Sequence, residues 1–305
     1  MTEKNLDLLS YIGNTPLVQI NRLAKDFSPN IQIFAKLEWH NPSGSVKARA
    51  ASRMILKGEE TGKLTKDKII LDATSGNTGI AYAMIGARKG YRVKLIVPKN
   101  ICHERKLMIS TYGAELIFSD PLDGTDGAQR LCQKIYNENP SQYFYPDQYN
   151  NDENWRAHYE TTGPEIWRQT NGEITHFVAG TGTSGTFMGT GRFLREKNSK
   201  IQLVCVQPDA PFHGLEGWKH MASAIRPGIY KEDLANSFIE VSTEEAYKTA
   251  RALGREEGLF VGVSAGAAMT ACLKLARTLT SAKIVTVFAD GGDRYMNDLF
   301  WNDKD

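Results

Sequence analysis

The feature that most constrains this chain is an alternation. Short runs rich in β-branched residues, at 31–37, 69–73, 93–97, 115–118, 175–179, 203–206 and 284–289, are separated by longer amphipathic stretches such as 48–58, 78–89, 104–112, 124–137, 154–169, 244–257 and 265–278. That pattern predicts an α/β chain in which crossover helices link parallel strands. At 305 residues there is room for two domains. The best boundary is the stretch 137–154, where Asn, Pro, Gln and Tyr crowd together without periodicity. A second irregular stretch, 207–236, is too long for a simple connection and reads as a functional or mobile loop.

Several classes are excluded by composition. With 41% hydrophobic and 24% charged residues the chain is not of a disordered type. Its 37 Lys+Arg against 35 Asp+Glu, with no long run of one sign, leave no electrostatic footprint for nucleic acid or an anionic membrane. No apolar segment reaches the ~20 residues of a membrane span and the first residues lack a signal-peptide pattern, so a cytoplasmic protein is expected. Cys102, Cys132, Cys205 and Cys272 are irregularly spaced, which fits reduced thiols rather than a zinc site, and no histidine pair has metal-ligand spacing. No metal is expected. Cys205, inside Leu203-Val204-Cys205-Val206, reads as a buried strand residue.

Three segments carry chemistry. Asn41-Pro42-Ser43-Gly44-Ser45-Val46-Lys47 delivers an amine; Thr74-Ser75-Gly76-Asn77-Thr78-Gly79 and Gly182-Thr183-Ser184-Gly185-Thr186 are Ser/Thr/Gly clusters placed where a strand gives way to a helix. Small residues let backbone N–H groups approach an anion, hydroxyls add donors, and a helix start favours negative charge. Two such turns hold two anions, and a lysine can form a Schiff base with a carbonyl. Together they imply an aldehyde cofactor carrying a phosphate. Each segment also has a plainer reading: a solvated lysine, an ordinary helix cap at 74–79, and at Gly180-Thr181-Gly182-Thr183-Ser184-Gly185 a G-x-G-x-x-G turn of the kind that binds dinucleotides. The acid that a dinucleotide site wants about twenty residues on has only Asp209, late and beside Pro208, as its candidate.

These clusters occur in order with Gly13-Asn14-Thr15-Pro16-Leu17, Tyr112-Gly113-Ala114-Glu115, Thr161-Thr162-Gly163-Pro164-Glu165-Ile166-Trp167 and Gly262-Val263-Ser264-Ala265-Gly266. In this the chain resembles, over nearly its whole length, the fold type II pyridoxal-phosphate enzymes, and most closely the cysteine synthase (O-acetylserine sulfhydrylase) family. The run from Gly217 through Trp218-Lys219-His220 to Pro227-Gly228-Ile229-Tyr230, with Gly292-Asp293-Arg294-Tyr295, is similar to its B-type members. One departure is Ala48, where family members usually carry Asp after the lysine.

The resemblance implies two open-sheet domains of the tryptophan synthase β-like architecture: a smaller, mobile substrate-binding domain over 36–147, and a larger domain over 1–35 with 148–305 that binds the phosphate of pyridoxal 5'-phosphate. It makes Lys47 the catalytic lysine and the cofactor's covalent anchor. Asn77 would meet the cofactor's phenolic oxygen, Gly182, Thr183, Ser184, Gly185 and Thr186 its phosphate, and Ser264 its pyridine nitrogen. Thr74, Ser75 and Thr78, helped by Gln148, would hold the substrate carboxylate, with Lys219 near the mouth of the site. A neutral hydroxyl at the ring nitrogen suits β-replacement better than transamination; read alone, Ser264 is also a helix N-cap, and 218–220 a solvated loop. The implied partners are an amino-acid substrate and a sulfur donor, in a homodimer. The implied reaction replaces the acetyl group of O-acetyl-L-serine by sulfide or thiosulfate, giving L-cysteine or S-sulfocysteine. Left open are O-phosphoserine sulfhydrylase, cystathionine β-synthase and dehydratase activities on the same fold, a non-catalytic cofactor-binding protein, and an NAD-dependent oxidoreductase.

Overall fold

The strands run, in chain order, β1 (Leu17–Ile20), β2 (Ile31–Leu37), β3 (Ile69–Ala73), β4 (Arg92–Pro98), β5 (Glu115–Ser119), β6 (Tyr143–Phe144), β7 (His176–Gly180), β8 (Gln202–Pro208), β9 (Ser237–Val241) and β10 (Ala282–Phe288). The α-helices are α1 (Lys47–Glu60), α2 (Asn77–Lys89), α3 (His103–Thr111), α4 (Gly124–Glu138), α5 (Asp152–Ala157), α6 (Gly163–Gln169), α7 (Gly185–Lys197), α8 (Thr243–Ala252) and α9 (Val263–Ala276). This computed structural model describes residues 7–74 and 76–303. The packing forms two units: the described residues up to Ile12 with Asn41–Asn154, and Gly13–His40 with the described residues from Trp155 onward.

In the first unit the sheet order is β5-β4-β3-β6, all parallel. The chain lays down β3, β4 and β5 outward and then returns to place β6 on the other flank of β3. Strand order therefore reverses between β3 and β6, the place where open α/β sheets leave a crevice beyond the strand ends. Apolar clusters cover the sheet, one gathering Met54, Ile80, Tyr82, Ile85 and Leu95, the other Leu71, Ile96, Ala128 and Cys132. α2 is the central helix: every residue from Thr78 to Gly86 is buried.

The second unit has the order β1-β2-β10-β7-β8-β9. β7, β8 and β9 again run outward, and the return to β10 puts the reversal beside β7. The sheet is not wholly parallel, because β1 pairs antiparallel with β2. The connection 21–30 holds no α-helix, and without a crossover the second strand must run back along the first. β9 was not expected either. It is a short edge strand with Phe238 outward, so it lacks the continuous apolar run of its neighbours.

The helix expected over 154–169 is broken into α5, a π-helical turn at His158–Thr162, and α6. Pro164 sits at the start of α6, where its missing N–H costs nothing, but it cannot continue the ladder of a single helix. The same segment ends in a buried network. Lys36, fully buried, pairs with Glu165 at 2.8 Å and donates to Thr15 O and Gln169 Oε1, each at 2.9 Å. Glu165 also accepts the Asn14 N–H at 2.9 Å. Two motifs distant in sequence, Asn14-Thr15-Pro16 and Gly163-Pro164-Glu165, are thus joined through one cation.

The packing boundaries fall after Ile12, His40 and Asn154, the last at the end of the aperiodic stretch 137–154, while the resemblance implies a smaller domain over 36–147. Residues near Asp7 stay with the first unit through the Arg88 ion pair at 3.0 Å, and Gln148 through its bonds to the end of β3. Cys132, Cys205 and Cys272 are buried and Cys102 half-buried, all as free thiols. Among the described residues no helix is long and apolar enough to cross a membrane.

Candidate active site

Lys47 is the first residue of α1 and half-buried, at the end of a tight loop. Gly44, at positive φ, closes the loop by donating its N–H to Asn41 O at 2.7 Å, and the Lys47 N–H donates to Ser45 Oγ at 3.3 Å. The next residue, Ala48, is wholly buried. A carboxylate in that place would need a partner in the packed interior of α1.

The turn between β3 and α2 lies at the strand reversal of the first unit. Thr74 Oγ1 accepts the N–H of Gly76 at 3.0 Å and of Gly79 at 3.2 Å, capping α2 from a residue before its start. Asn77 is the first helical residue and half-buried. The Thr78 hydroxyl donates to Gln148 Oε1 at 2.7 Å, and Gln148 Nε2 donates to Ala73 O at 2.6 Å. Thr74, Thr78 and Gln148 are therefore brought together; Ser75 lies outside the described residues.

Beneath this turn is a group that sequence reading missed. Asp72, fully buried at the end of β3, accepts the Ala73 N–H at 2.8 Å, the Tyr82 hydroxyl at 2.9 Å and the Gln148 N–H at 3.3 Å. Burial pushes its carboxyl up to about 8, against these three hydrogen bonds and with Asp147 adding to the rise. Its sequence signal was faint, a lone acid closing an apolar strand.

In the second unit the matching turn follows β7 and opens α7, a helix of 13 residues. Ser184 is its N-cap at φ 71°, yet makes no capping bond: its Oγ is buried without a hydrogen-bond partner among the described residues. A buried hydroxyl left so costs roughly 1–3 kcal/mol, which an anion at the helix start would recover. Thr183 is buried beside it, and Thr186 Oγ1 lies 3.4 Å from Nε2 of the buried His158. The glycines that prompted the dinucleotide comparison have another use. A Cβ on Gly180 would fall inside the Trp218 indole, and one on Gly182 would collide with the Gly217 carbonyl oxygen. Their open faces are filled by the protein's own chain, so close packing accounts for both glycines without a dinucleotide.

Ser264 is buried in the first turn of α9, whose N-cap is Gly262; the hydroxyl is inside the helix rather than at its cap. Lys219 is 5% exposed, and its N–H donates to Thr181 O at 2.9 Å. Read alone, 218–220 suggests a solvated loop; instead the backbone at Lys219 is packed onto the turn after β7.

These features define a class: residues 8–290 match the family model described as pyridoxal-phosphate dependent enzyme. The chain belongs to that family. Within it the chain is 50% identical over 303 residues to a cysteine synthase of Aquifex aeolicus, covering 98% of this chain and 93% of that one. It is 43% identical over 286 residues to cysteine synthase B of Salmonella typhimurium, covering 94% and 93%. The crystal structure of an Entamoeba histolytica cysteine synthase superposes with a TM-score of 0.94 at 34% identity, covering 100% of this chain and 93% of that chain. The enzyme is pyridoxal-phosphate dependent, and each unit by itself offers groups that suit such a cofactor: in the second, a helix start whose Ser184 hydroxyl has no hydrogen-bond partner among the described residues and a neutral hydroxyl in the first turn of α9; in the first, the half-buried lysine amine of Lys47.

Proposed function

We propose that this enzyme makes L-cysteine by β-replacement on an activated serine, with O-acetyl-L-serine as the donor of the three-carbon unit and sulfide as the nucleophile. The observation that carries the reading is the Ser184 hydroxyl, buried and unpartnered at the start of α7 among the described residues. When bound, the cofactor supplies an electron sink that acidifies the substrate's α-proton.

The chain's own residues do the rest. Lys47 would anchor the cofactor through its Nζ, and the same Nζ, when free, would accept the substrate's α-proton as general base. Thr74, Thr78 and Gln148, with Ser75, hold the substrate carboxylate. The Asn77 side chain would donate to the cofactor's phenolic oxygen. Gly182, Thr183, Ser184, Gly185 and Thr186 would hold the phosphate, and Ser264 Oγ would serve the pyridine nitrogen as a neutral donor, which suits elimination and addition at Cβ. On this assignment the first unit carries the substrate carboxylate and the second the phosphate. The protein works as a cytoplasmic homodimer.

Lys219 separates the possible substrates. If its ammonium serves the site, it favours a dianionic donor such as thiosulfate, or a phosphate leaving group, over sulfide. A competition assay across O-acetylserine and O-phosphoserine with sulfide and thiosulfate, run on wild type and Lys219→Ala, tests this. A selective loss of about 10- to 100-fold with the anionic co-substrate is expected, the scale of one charge-assisted hydrogen bond. Uniform loss makes Lys219 structural, loss with phosphoserine alone moves the donor to O-phosphoserine, and no cysteine from any pair refutes the proposed activity.

A further inference from the structure

Three consecutive residues, the last of β7 and the first two of the turn after it, each meet one residue of the long irregular stretch. The Gly180 α-carbon lies against the Trp218 indole, Thr181 O accepts the Lys219 N–H at 2.9 Å, and the Gly182 α-carbon faces the Gly217 carbonyl oxygen. Gly217 stands at φ 83°, which turns that carbonyl toward Gly182 and which a side chain there would resist. The segment is tied down on its other side as well: Trp218 packs on the core cluster of this unit, its N–H donates to O of the buried Leu215 at 3.1 Å, and the Gly214 N–H donates to Thr243 Oγ1 at 2.8 Å.

An anion turn needs its backbone N–H groups pointing one way, yet glycines leave the chain free to turn elsewhere. Gly180 and Gly182 would be soft points if their faces were open. Here an indole and a carbonyl fill those faces, so the residues that permit the close approach are also held by it.

We propose that residues 217–219 form a strap across the turn after β7, with Trp218 as a positioning residue that holds the backbone in its phosphate-binding shape, and that cofactor binding in turn orders the 207–236 stretch. The second half follows from the first, since coupling between two sites is reciprocal. This inference rests on the reading of 182–186 as the phosphate site.

The test uses the full chain with and without pyridoxal phosphate. Cofactor affinity is measured by titrating the apoprotein of wild type, Trp218→Ala, Trp218→Phe, Gly217→Ala and Ser184→Ala, and amide hydrogen exchange is followed over peptides in 207–236. Trp218→Ala is expected to weaken cofactor binding about ten-fold, inside the usual range of site-to-site coupling, while Trp218→Phe, which keeps a ring over Gly180, stays within about three-fold. Cofactor should slow exchange in 207–236 of wild type several-fold, and this protection should shrink in Trp218→Ala. Gly217→Ala reports on the strap by a second route should Trp218→Ala fail to fold. Wild-type affinity in both Trp218→Ala and Gly217→Ala, or exchange in 207–236 that ignores the cofactor, overturns the strap. If Ser184→Ala too binds cofactor normally, the phosphate assignment itself is wrong; if Ser184→Ala alone is weakened, only the strap falls.

Discussion

The turns at 74–79 and 181–186 occupy equivalent places, each at the end of a strand where sheet order reverses and each opening a helix, but they differ in what their described hydroxyls leave unsatisfied. In the first, Thr74 caps its own helix and the Thr78 hydroxyl is committed to Gln148. In the second, the N-cap Ser184 caps nothing and its Oγ stays buried without a partner among the described residues. Hydroxyls already satisfied, as those of Thr74 and Thr78 are, tolerate an empty interval between ligands. A turn that carries an orphaned polar group is stable mainly when filled. On the proposed assignment the first serves a substrate that comes and goes, the second a cofactor that stays.

The largest effect tests whether both turns serve one reaction. Lys47→Ala should lower turnover by about 10³-fold or more, because one amine supplies both anchor and base, with circular dichroism unchanged; β-replacement at the wild-type rate would remove Lys47 from the chemistry. A crossed pair is the sharpest probe of the comparison. Ser184→Ala should weaken cofactor binding about ten-fold and leave the amino-acid KM alone, whereas Thr78→Val should raise that KM about ten-fold and leave cofactor affinity alone, each on the scale of one hydrogen bond to a charged group. If the two variants exchange effects, the division of labour between the turns is wrong.

The smallest effect concerns the acid beneath the first turn. Asp72 has its folded-state pKa raised to about 8, above an unfolded value of about 3.9. A raised acid contributes stability that is present below the unfolded value and lost as pH rises through the folded one. Wild type should therefore lose thermal stability between pH 5 and pH 9 by more than Asp72→Asn does, as read from Tm at the two pH values. Parallel losses would mean that Asp72 does not titrate in that interval.

Much of this was legible in the residues. β2 and β3 follow directly from their apolar β-branched runs, and α1 and α2 begin where small polar clusters end. Local chemistry writes such features into contiguous residues. What stayed hidden depends on contacts between distant segments: Trp218 over Gly180, Gln148 against Ala73, and Lys36 between Thr15 and Glu165. Lys219 is the clearest case, since a lysine in a polar loop reads as solvated and only the packing of 217–219 buries it. The G-x-G spacing did hold a clue, as a need for close approach, but not to what approaches.

The buried thiols have a consequence for an enzyme that handles sulfur. Burial raises Cys205 to about 11 and Cys272 to about 12, and lifts Cys132 as well. At neutral pH a thiol at about 11 is ionised in only about one molecule in 10⁴, and the thiolate is the form that attacks disulfides and persulfides. A catalyst that works among reduced and polysulfidic sulfur would be chemically deaf to its own medium at these three positions. Cys102 alone of the four cysteines is half-buried rather than buried.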